Sequence, residues 1–399
     1  MEQGSVLYLN GDYFQALQSF DKADALAEKL YTTSVSKTAA AQVVGDGVAD
    51  YKGAAYERAL LKFYQSMAHY MLAQKGEYEA YTPTEKEAEP VAARTLSEAE
   101  IKKHVSGAKS VLLAWNALAS DPGMQNRPTP EALEKAWGAY LNQSGSDVER
   151  NRSALLYKAW EKMLDDAESV LTAEQKKTVR AYIRERKRNG ASENVAVVLK
   201  TGLIAPKKAE KVGFPIVSRD FNAATMAKLL GNKDGLFFFE YASMDKPVPA
   251  EDYKLVIKKD GKEVTERQMA LVAPLSEIAY RDFQMNRKAL TAKKGARLTV
   301  KYTAALAAAK AAYDKAPSMK DYAASGAFAT AVKAIEASEY ADLRAWSSLP
   351  ANIFMQSLKL GDGTYTAEIV RNEKTLYSHT FTVGKGAPVL LDFNLPAEK

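Results

Sequence analysis

The stretch YLNGDYFQALQSFDKADAL, residues 8–26, has the pattern of a tight turn followed by a helix. The Gly-Asp-Tyr triplet at 11–13 forms the turn, because glycine and aspartate tolerate the backbone angles of a tight connection. Ala16, Phe20 and Ala23 then follow at spacings of four and three, which places them on one face of a helix. A small residue followed by a large one suits a close helix crossing, so the stretch predicts the second helix of a helical hairpin.

The same spacing recurs further along the chain, in Ala108, Leu112 and Trp115 and again in Ser153, Tyr157 and Trp160. Small crossing residues followed by aromatic ones are typical of tetratricopeptide-like repeats. Alternatively, these residues are the buried faces of ordinary amphipathic helices and not repeats, since any amphipathic helix shows this spacing. We predict a short, degenerate helical repeat domain over residues 1–192, with a long insertion at about 77–105.

From about residue 195 the sequence changes to β-branched and aromatic runs broken by glycine and proline. The tetrapeptide KDGK at 259–262 lies between two such runs and predicts a β-hairpin turn. A helical pattern returns at about 275–342. We therefore predict an α+β protein in which an immunoglobulin-like β-sandwich with an inserted helical hairpin, over 193–399, follows the all-α domain. Two small β-domains joined by helices are the alternative.

The composition narrows the classes of function. The 399 residues include no cysteine, which excludes disulfides, thiolate nucleophiles and cysteine zinc sites. The 55 basic and 49 acidic residues leave a modest formal charge of +6, which is no nucleic-acid signature by itself. The first residues lack the basic and apolar segments of a signal peptide. A cytoplasmic protein and the mature form of an exported one are therefore both open.

Four stretches together resemble a known family: LNGDYFQALQSFDKAD at 9–24, and residues 51–73, 196–216 and 341–369. The last begins ADLRAWSSLP, an Arg-x-Trp-x-x-Leu-Pro element that leads into a strand, and it is the most specific. The family is a group of largely uncharacterised bacterial cell-envelope proteins, often lipoproteins, with N-terminal tetratricopeptide-like repeats. The resemblance implies export to the periplasm or attachment to the outer membrane through a lipidated cysteine upstream of residue 1, and it implies no established activity.

No catalytic motif is visible. His69, His104 and His379 are far apart in sequence and lack metal-ligand spacing, so we interpret each as a structural or exposed residue. Neither a Gly-x-Ser-x-Gly elbow nor a Gly-Lys-Ser/Thr phosphate loop occurs. The sequence therefore predicts a non-enzyme without cofactor or metal. A hydrolase or binding protein of envelope peptidoglycan or polysaccharide, built from distant carboxylates, is an alternative.

We predict a non-catalytic scaffold or adaptor that binds a protein or peptide partner in the groove of the helical repeats. Tyrosines of these helices are candidate contacts, together with an Arg–Trp pair at 344–346, because arginine and aromatic residues dominate interface hot spots. The alternative for that pair is a packing role, with its tryptophan buried and its arginine paired to an acid such as Asp342. The candidate contact residues are Tyr13, Tyr64, Tyr70, Arg344 and Trp346.

The run KKTVRAYIRERKRNG at 176–190 is the strongest charge feature. It predicts a solvated helix whose basic last turn complements the helix dipole. The alternative is binding of a polyanion, an acidic envelope polymer or anionic lipid head groups, with nucleic acid disfavoured because only Tyr182 interleaves with the charges. The candidate residues for such a surface are Arg184, Arg186, Lys187 and Arg188.

Overall fold

The computed structural model is a mixed α+β protein with a helical N-terminal region followed by strands. It describes residues 1–36, 50–83, 89–119, 121, 124, 126–166, 169–189, 193–215, 225, 229, 236–316, 318–384 and 388–395. The helices of the first part are α1 (Glu2–Leu9), α2 (Tyr13–Ser36), α3 (Ala55–Lys75), α4 (Glu98–Ala119), α5 (Glu131–Asn142), α6 (Asp147–Met163) and α7 (Ala173–Asn189).

Consecutive helices of this part pack in pairs, α1 with α2, α3 with α4 and α5 with α6. Gly11 has a φ of 82° and turns the chain between the first two. Ser146 begins α6 with a reciprocal capping box to Glu149. Of the positions predicted from the spacing of four and three, all except the partly buried Ala23 are confirmed as core positions. These are Ala16, Phe20, Ala108, Leu112, Trp115, Ser153, Tyr157 and Trp160.

The insertion between α3 and α4 is shorter than predicted. Residues 98–105 form the first two turns of α4, which Ser97 and Glu100 cap, so the predicted end at 105 was wrong. Before them, the short strands β1 (Glu77–Tyr78) and β2 (Arg94–Thr95) pair in antiparallel fashion. The Tyr78 ring stacks on Phe14 of α2 at 4.1 Å, which joins this excursion to the first helix pair.

Within the described residues, the strands of the second part form two four-stranded sheets and one two-stranded sheet. The first four-stranded sheet has the order β12-β3-β9-β8, with β12 and β3 parallel, and the second has the order β11-β10-β6-β7. The two-stranded sheet is β4-β5. The bounds are β3 (Val195–Thr201), β4 (Lys208–Pro215), β5 (Leu236–Ser243), β6 (Lys254–Lys259), β7 (Lys262–Gln268), β8 (Ala270–Ala273), β9 (Asn352–Leu358), β10 (Gly363–Arg371), β11 (Lys374–Val383) and β12 (Val389–Leu395).

Strand β3 shows how the layers stack. Val197 and Leu199 point to one side, into a core shared with side chains of the other four-stranded sheet such as Leu255. Ala196 and Val198 point to the opposite side, into a core shared with the helices. Helices, first sheet and second sheet are therefore successive layers, and both faces of the first sheet are buried.

A helical hairpin lies between β8 and β9 in sequence, although these two strands pair directly. It consists of α8 (Leu275–Lys315) and α9 (Lys320–Ser338). At 41 residues, α8 is about 60 Å long. Leu298, Tyr302 and Phe328 belong to a separate small core between the two helices. No helix within the described part of the chain is both long and apolar enough to cross a membrane.

Candidate functional site

Trp346, a predicted contact residue, is buried. It is only 3% exposed, its backbone N–H donates to Glu57 Oε1 at 2.7 Å, and its indole N–H donates to Ser5 Oγ at 2.9 Å. Its role as a surface contact is corrected, because helices α1 and α3 cover the ring. The packing alternative is confirmed for this residue.

Arg344 is half-buried and takes the partner that the sequence named. Its guanidinium donates to both carboxylate oxygens of Asp342, each at 2.8 Å. Its backbone carbonyl accepts a hydrogen bond from Lys207 Nζ at 2.9 Å. The Asp342 pairing is thus confirmed, and the Lys207 bond joins the segment before β9 to the residue that precedes β4.

The tyrosines expected to line an open groove face the sheet instead. Tyr64 and Tyr70 are 5% and 7% exposed, with their rings 5.4 Å from Trp346 and 5.8 Å from Trp137. Tyr13 is partly buried against Tyr8, at 5.3 Å. The groove role of Tyr64 and Tyr70 is corrected, because the first sheet occupies the side of the helices on which these rings lie.

A buried ion pair lies beneath these rings. Lys200 Nζ of β3 is 2.7 Å from Asp392 Oδ2 of β12, and the two side chains are 2% and 5% exposed. The Tyr8 hydroxyl donates to the same carboxylate oxygen at 2.8 Å. Burial and the Asp392 charge raise the pKa of Tyr8 well above its ordinary value, which keeps the hydroxyl a donor. The Lys200 ammonium lies 4.6 Å from the Tyr8 ring centroid.

The basic run at 176–190 does not present its charges as one surface. Arg186 is buried against Gln356 and Ser357 of β9 and lies 3.3 Å from Glu193. Its assignment to an anionic-surface site is therefore corrected. Arg184, Lys187 and Arg188 are exposed. Lys187 is paired with Glu161.

Two of the histidines, interpreted as isolated, form a pair. The Nδ1 atoms of His69 on α3 and His104 on α4 are 2.9 Å apart. Gly107 makes room for the His69 ring, since a Cβ there would lie 2.9 Å from it. Burial and His104 lower the pKa of His69 to about 4, and burial and Lys103 lower that of His104. Within the described residues, no group of three or more metal-ligating side chains is placed to hold an ion.

The pair makes stability depend on pH in a defined window. An unfolded histidine takes up a proton near pH 6.5, whereas folded His69 resists protonation down to about 4, so stability falls as the pH drops between these values. We expect His69→Gln to remove about 1–2 kcal/mol of the loss in unfolding free energy between pH 7 and pH 5, measured by urea denaturation. The exposed His379→Gln is the control, and equal pH profiles for all three proteins would contradict this role.

A large cavity lies between the start of α5, the end of α6 and the start of α8. Its volume is about 960 Å³. Trp160, Ile278 and Met285 form part of an apolar wall. Charged residues of both signs stand among the lining residues: Arg127, Glu131, Glu277 and Arg281. Cavities of this size hold small molecules or short chain segments.

The four stretches that carry the family resemblance contact one another. The Phe20 ring, from the first, lies 6.1 Å from the Trp346 ring, from the fourth. Glu57, from the second, accepts the backbone hydrogen bond of Trp346, from the fourth. Ile204, from the third, donates its N–H to the Leu349 carbonyl at 3.1 Å. No protein-family model, curated protein sequence or solved structure matches this chain significantly. The family membership is therefore a proposal that rests on these stretches.

Proposed function

We propose that the protein is a non-catalytic scaffold or adaptor of the bacterial cell envelope, with tetratricopeptide-like helices and an immunoglobulin-like sandwich. Its partner is a protein segment, which binds in the cavity between α5, α6 and α8. The cavity of about 960 Å³ is the observation that carries this proposal. The envelope location is supported by the family resemblance alone.

The chemistry of the cavity walls favours a peptide over a small polar ligand. Apolar side chains form much of the lining, and Met163 and Met285 among them are flexible enough to fit different side chains. Arginine and glutamate both line the cavity, which suits the mixed charges of a polypeptide. The helical groove predicted from the sequence is a weaker candidate, because the first sheet covers Tyr64 and Tyr70.

A hydrolase of envelope polymers has less support. That chemistry needs two carboxyl groups that face a substrate, one of them able to give a proton. Asp282 lies beside the cavity, and burial raises its pKa, but it is 4% exposed and paired with Arg127 at 3.1 Å. Glu277 in the wall is paired with Arg281 at 3.1 Å. Both carboxylates are thus engaged within the protein.

The proposal is tested with a phage-displayed library of random peptides selected on the full chain. We expect selected peptides to bind with micromolar dissociation constants, measured by fluorescence anisotropy. Met285→Glu places a charge in the apolar wall at a side chain that is 53% exposed, so we expect the fold to be retained. We expect it to weaken binding at least about tenfold, or 1.4 kcal/mol.

Val148→Glu is the matched control, because Val148 is 72% exposed on α6 and does not line the cavity. It should leave peptide affinity unchanged. Failure to enrich any peptide, or selected peptides that bind the Met285→Glu protein as tightly as the parent, would remove the cavity as the binding site.

A further inference from the structure

The positive charge of the protein is concentrated on the helical hairpin. Residues 275–338 contain eleven basic and five acidic side chains, a net charge of +6. This equals the formal charge of the whole chain, so the remaining residues together are neutral. In the basic run at 176–190, by contrast, Arg180 and Lys187 pair with acidic residues. Arg186 is buried beside Glu193.

The cations at the base of the hairpin are used internally. Lys294 Nζ donates to the backbone carbonyls of Glu240 at 2.6 Å and Glu339 at 3.0 Å. Arg297 donates to both carboxylate oxygens of Glu339, at 2.7 and 2.9 Å. These bonds join α8 to the residue that follows α9 and to β5. The two helices of the hairpin therefore extend from a fixed base.

Other cations of the hairpin face solvent. Lys288, Lys293, Lys315 and Lys333 are exposed, and none of them has an acidic partner among the described residues. Large apolar side chains are also exposed on the hairpin. Val300 is 70% exposed on α8, and Met319 and Tyr322 at the turn end of the hairpin are 58% and 77% exposed. Exposed lysines attract anionic lipid head groups, and an exposed tyrosine is favoured at the level of those head groups.

We propose that the hairpin attaches the protein to the surface of an anionic lipid bilayer. Met319 and Tyr322 enter the head-group region, where tyrosine is favoured, and the exposed lysines contact lipid phosphates. Nucleic acid would satisfy the lysines but offers no apolar phase for Met319 and Val300. Only the start of α8 borders the peptide cavity, and Lys293, Lys315, Lys333, Met319 and Tyr322 do not line it, so the proposal does not depend on the proposed function.

Vesicle flotation with the full chain tests the charge contribution. We expect binding to vesicles of phosphatidylglycerol and phosphatidylcholine in equal amounts, none to phosphatidylcholine alone, and weaker binding as salt increases. Replacing Lys293, Lys315 and Lys333 with glutamine should lower the partition coefficient at least about tenfold. The matched control replaces Arg184, Lys187 and Arg188 with glutamine and should leave binding unchanged.

The absence of cysteine allows a clean test of insertion. Tyr322→Cys labelled with an environment-sensitive fluorophore should shift to shorter wavelength on anionic vesicles, whereas a label at Val148→Cys, equally exposed but on α6, should not. No binding to anionic vesicles, or equal loss in both glutamine variants, would overturn the proposal. So would binding to DNA or to a polyglutamate peptide that depends on the hairpin lysines while vesicles are ignored.

Discussion

Replacement of Asp392 by alanine is expected to lower the free energy of unfolding by about 3–5 kcal/mol, because it leaves the Lys200 ammonium without a counter-charge. The two side chains are 5% and 2% exposed and lie 2.7 Å apart between the helices and the first sheet. The same change removes the acceptor of the buried Tyr8 hydroxyl. Urea denaturation at pH 7 measures the difference.

Two further variants separate a lost ion pair from a lost side chain. The double change Lys200→Met and Asp392→Leu should recover the part of the loss that comes from the unpaired charge, because an apolar pair of similar size needs no desolvated charge, whereas the Tyr8 hydroxyl still lacks its acceptor. Asp165→Ala removes a partner of Arg180 at 2.5 Å on the surface, where the carboxylate is 71% exposed, and should change stability by less than about 1 kcal/mol. An Asp392→Ala protein as stable as the Asp165→Ala protein would contradict the structural role of the pair.

Local patterns predicted the elements well. The KDGK turn joins β6 to β7 with φ angles of 50° at Asp260 and 74° at Gly261, the left-handed values that a two-residue hairpin requires. The stripe of Ala108, Leu112 and Trp115 lies in the core as expected. These features depend on residues within one helix or one turn, so a short window of sequence contains the physical cause.

Local sequence patterns did not predict which part of the protein packs on each apolar helix face. The spacing of Tyr64 and Tyr70 indicates an apolar face, but it does not say whether a peptide or a sheet covers that face. The sheet covers it because β3 has apolar side chains on both sides and must bury both. A parallel pair such as β3 and β12 also joins residues almost two hundred positions apart, which no local period reveals.

The histidine pair was missed for a related reason. His69 and His104 are 35 residues apart, with an excursion between them, and meet only when α3 packs on α4. A usable signal existed in the small residue Gly107, three positions after His104, because a glycine on a packed helix face often marks close approach of a neighbour. The search for histidines at metal-ligand spacing within one helix could not detect a pair formed by two different helices.

The burial of one residue in the basic run before residue 190 also could not be predicted from local sequence. Arg186 was grouped with its exposed neighbours because charge runs normally lie on solvated faces. In the structure its guanidinium lies over the Tyr182 ring at 3.6 Å, and its Nε donates to Ser357 Oγ at 3.1 Å. Both contacts lie on the face that α7 turns toward the first sheet.

Arg186→Met should therefore be far more damaging than its place in a basic run suggests. We expect a loss of about 3–5 kcal/mol in the free energy of unfolding at pH 7, because buried Glu193 loses the cation 3.3 Å away. The methionine fills much of the space, so the loss reports charge and hydrogen bonding more than volume. Arg184→Met on the exposed side of α7 is the control and should change stability by less than about 0.5 kcal/mol.

The pH dependence of this loss identifies Glu193 as its cause. Burial already raises the pKa of the Glu193 carboxyl, and Arg186 opposes that rise. Without Arg186 the folded pKa rises further, so the folded protein holds a proton that the unfolded chain releases above about 4.5. The variant should lose stability as the pH increases, and its deficit relative to the parent should be larger at pH 7 than at pH 5. A deficit that is the same at both pH values would assign the loss to packing alone.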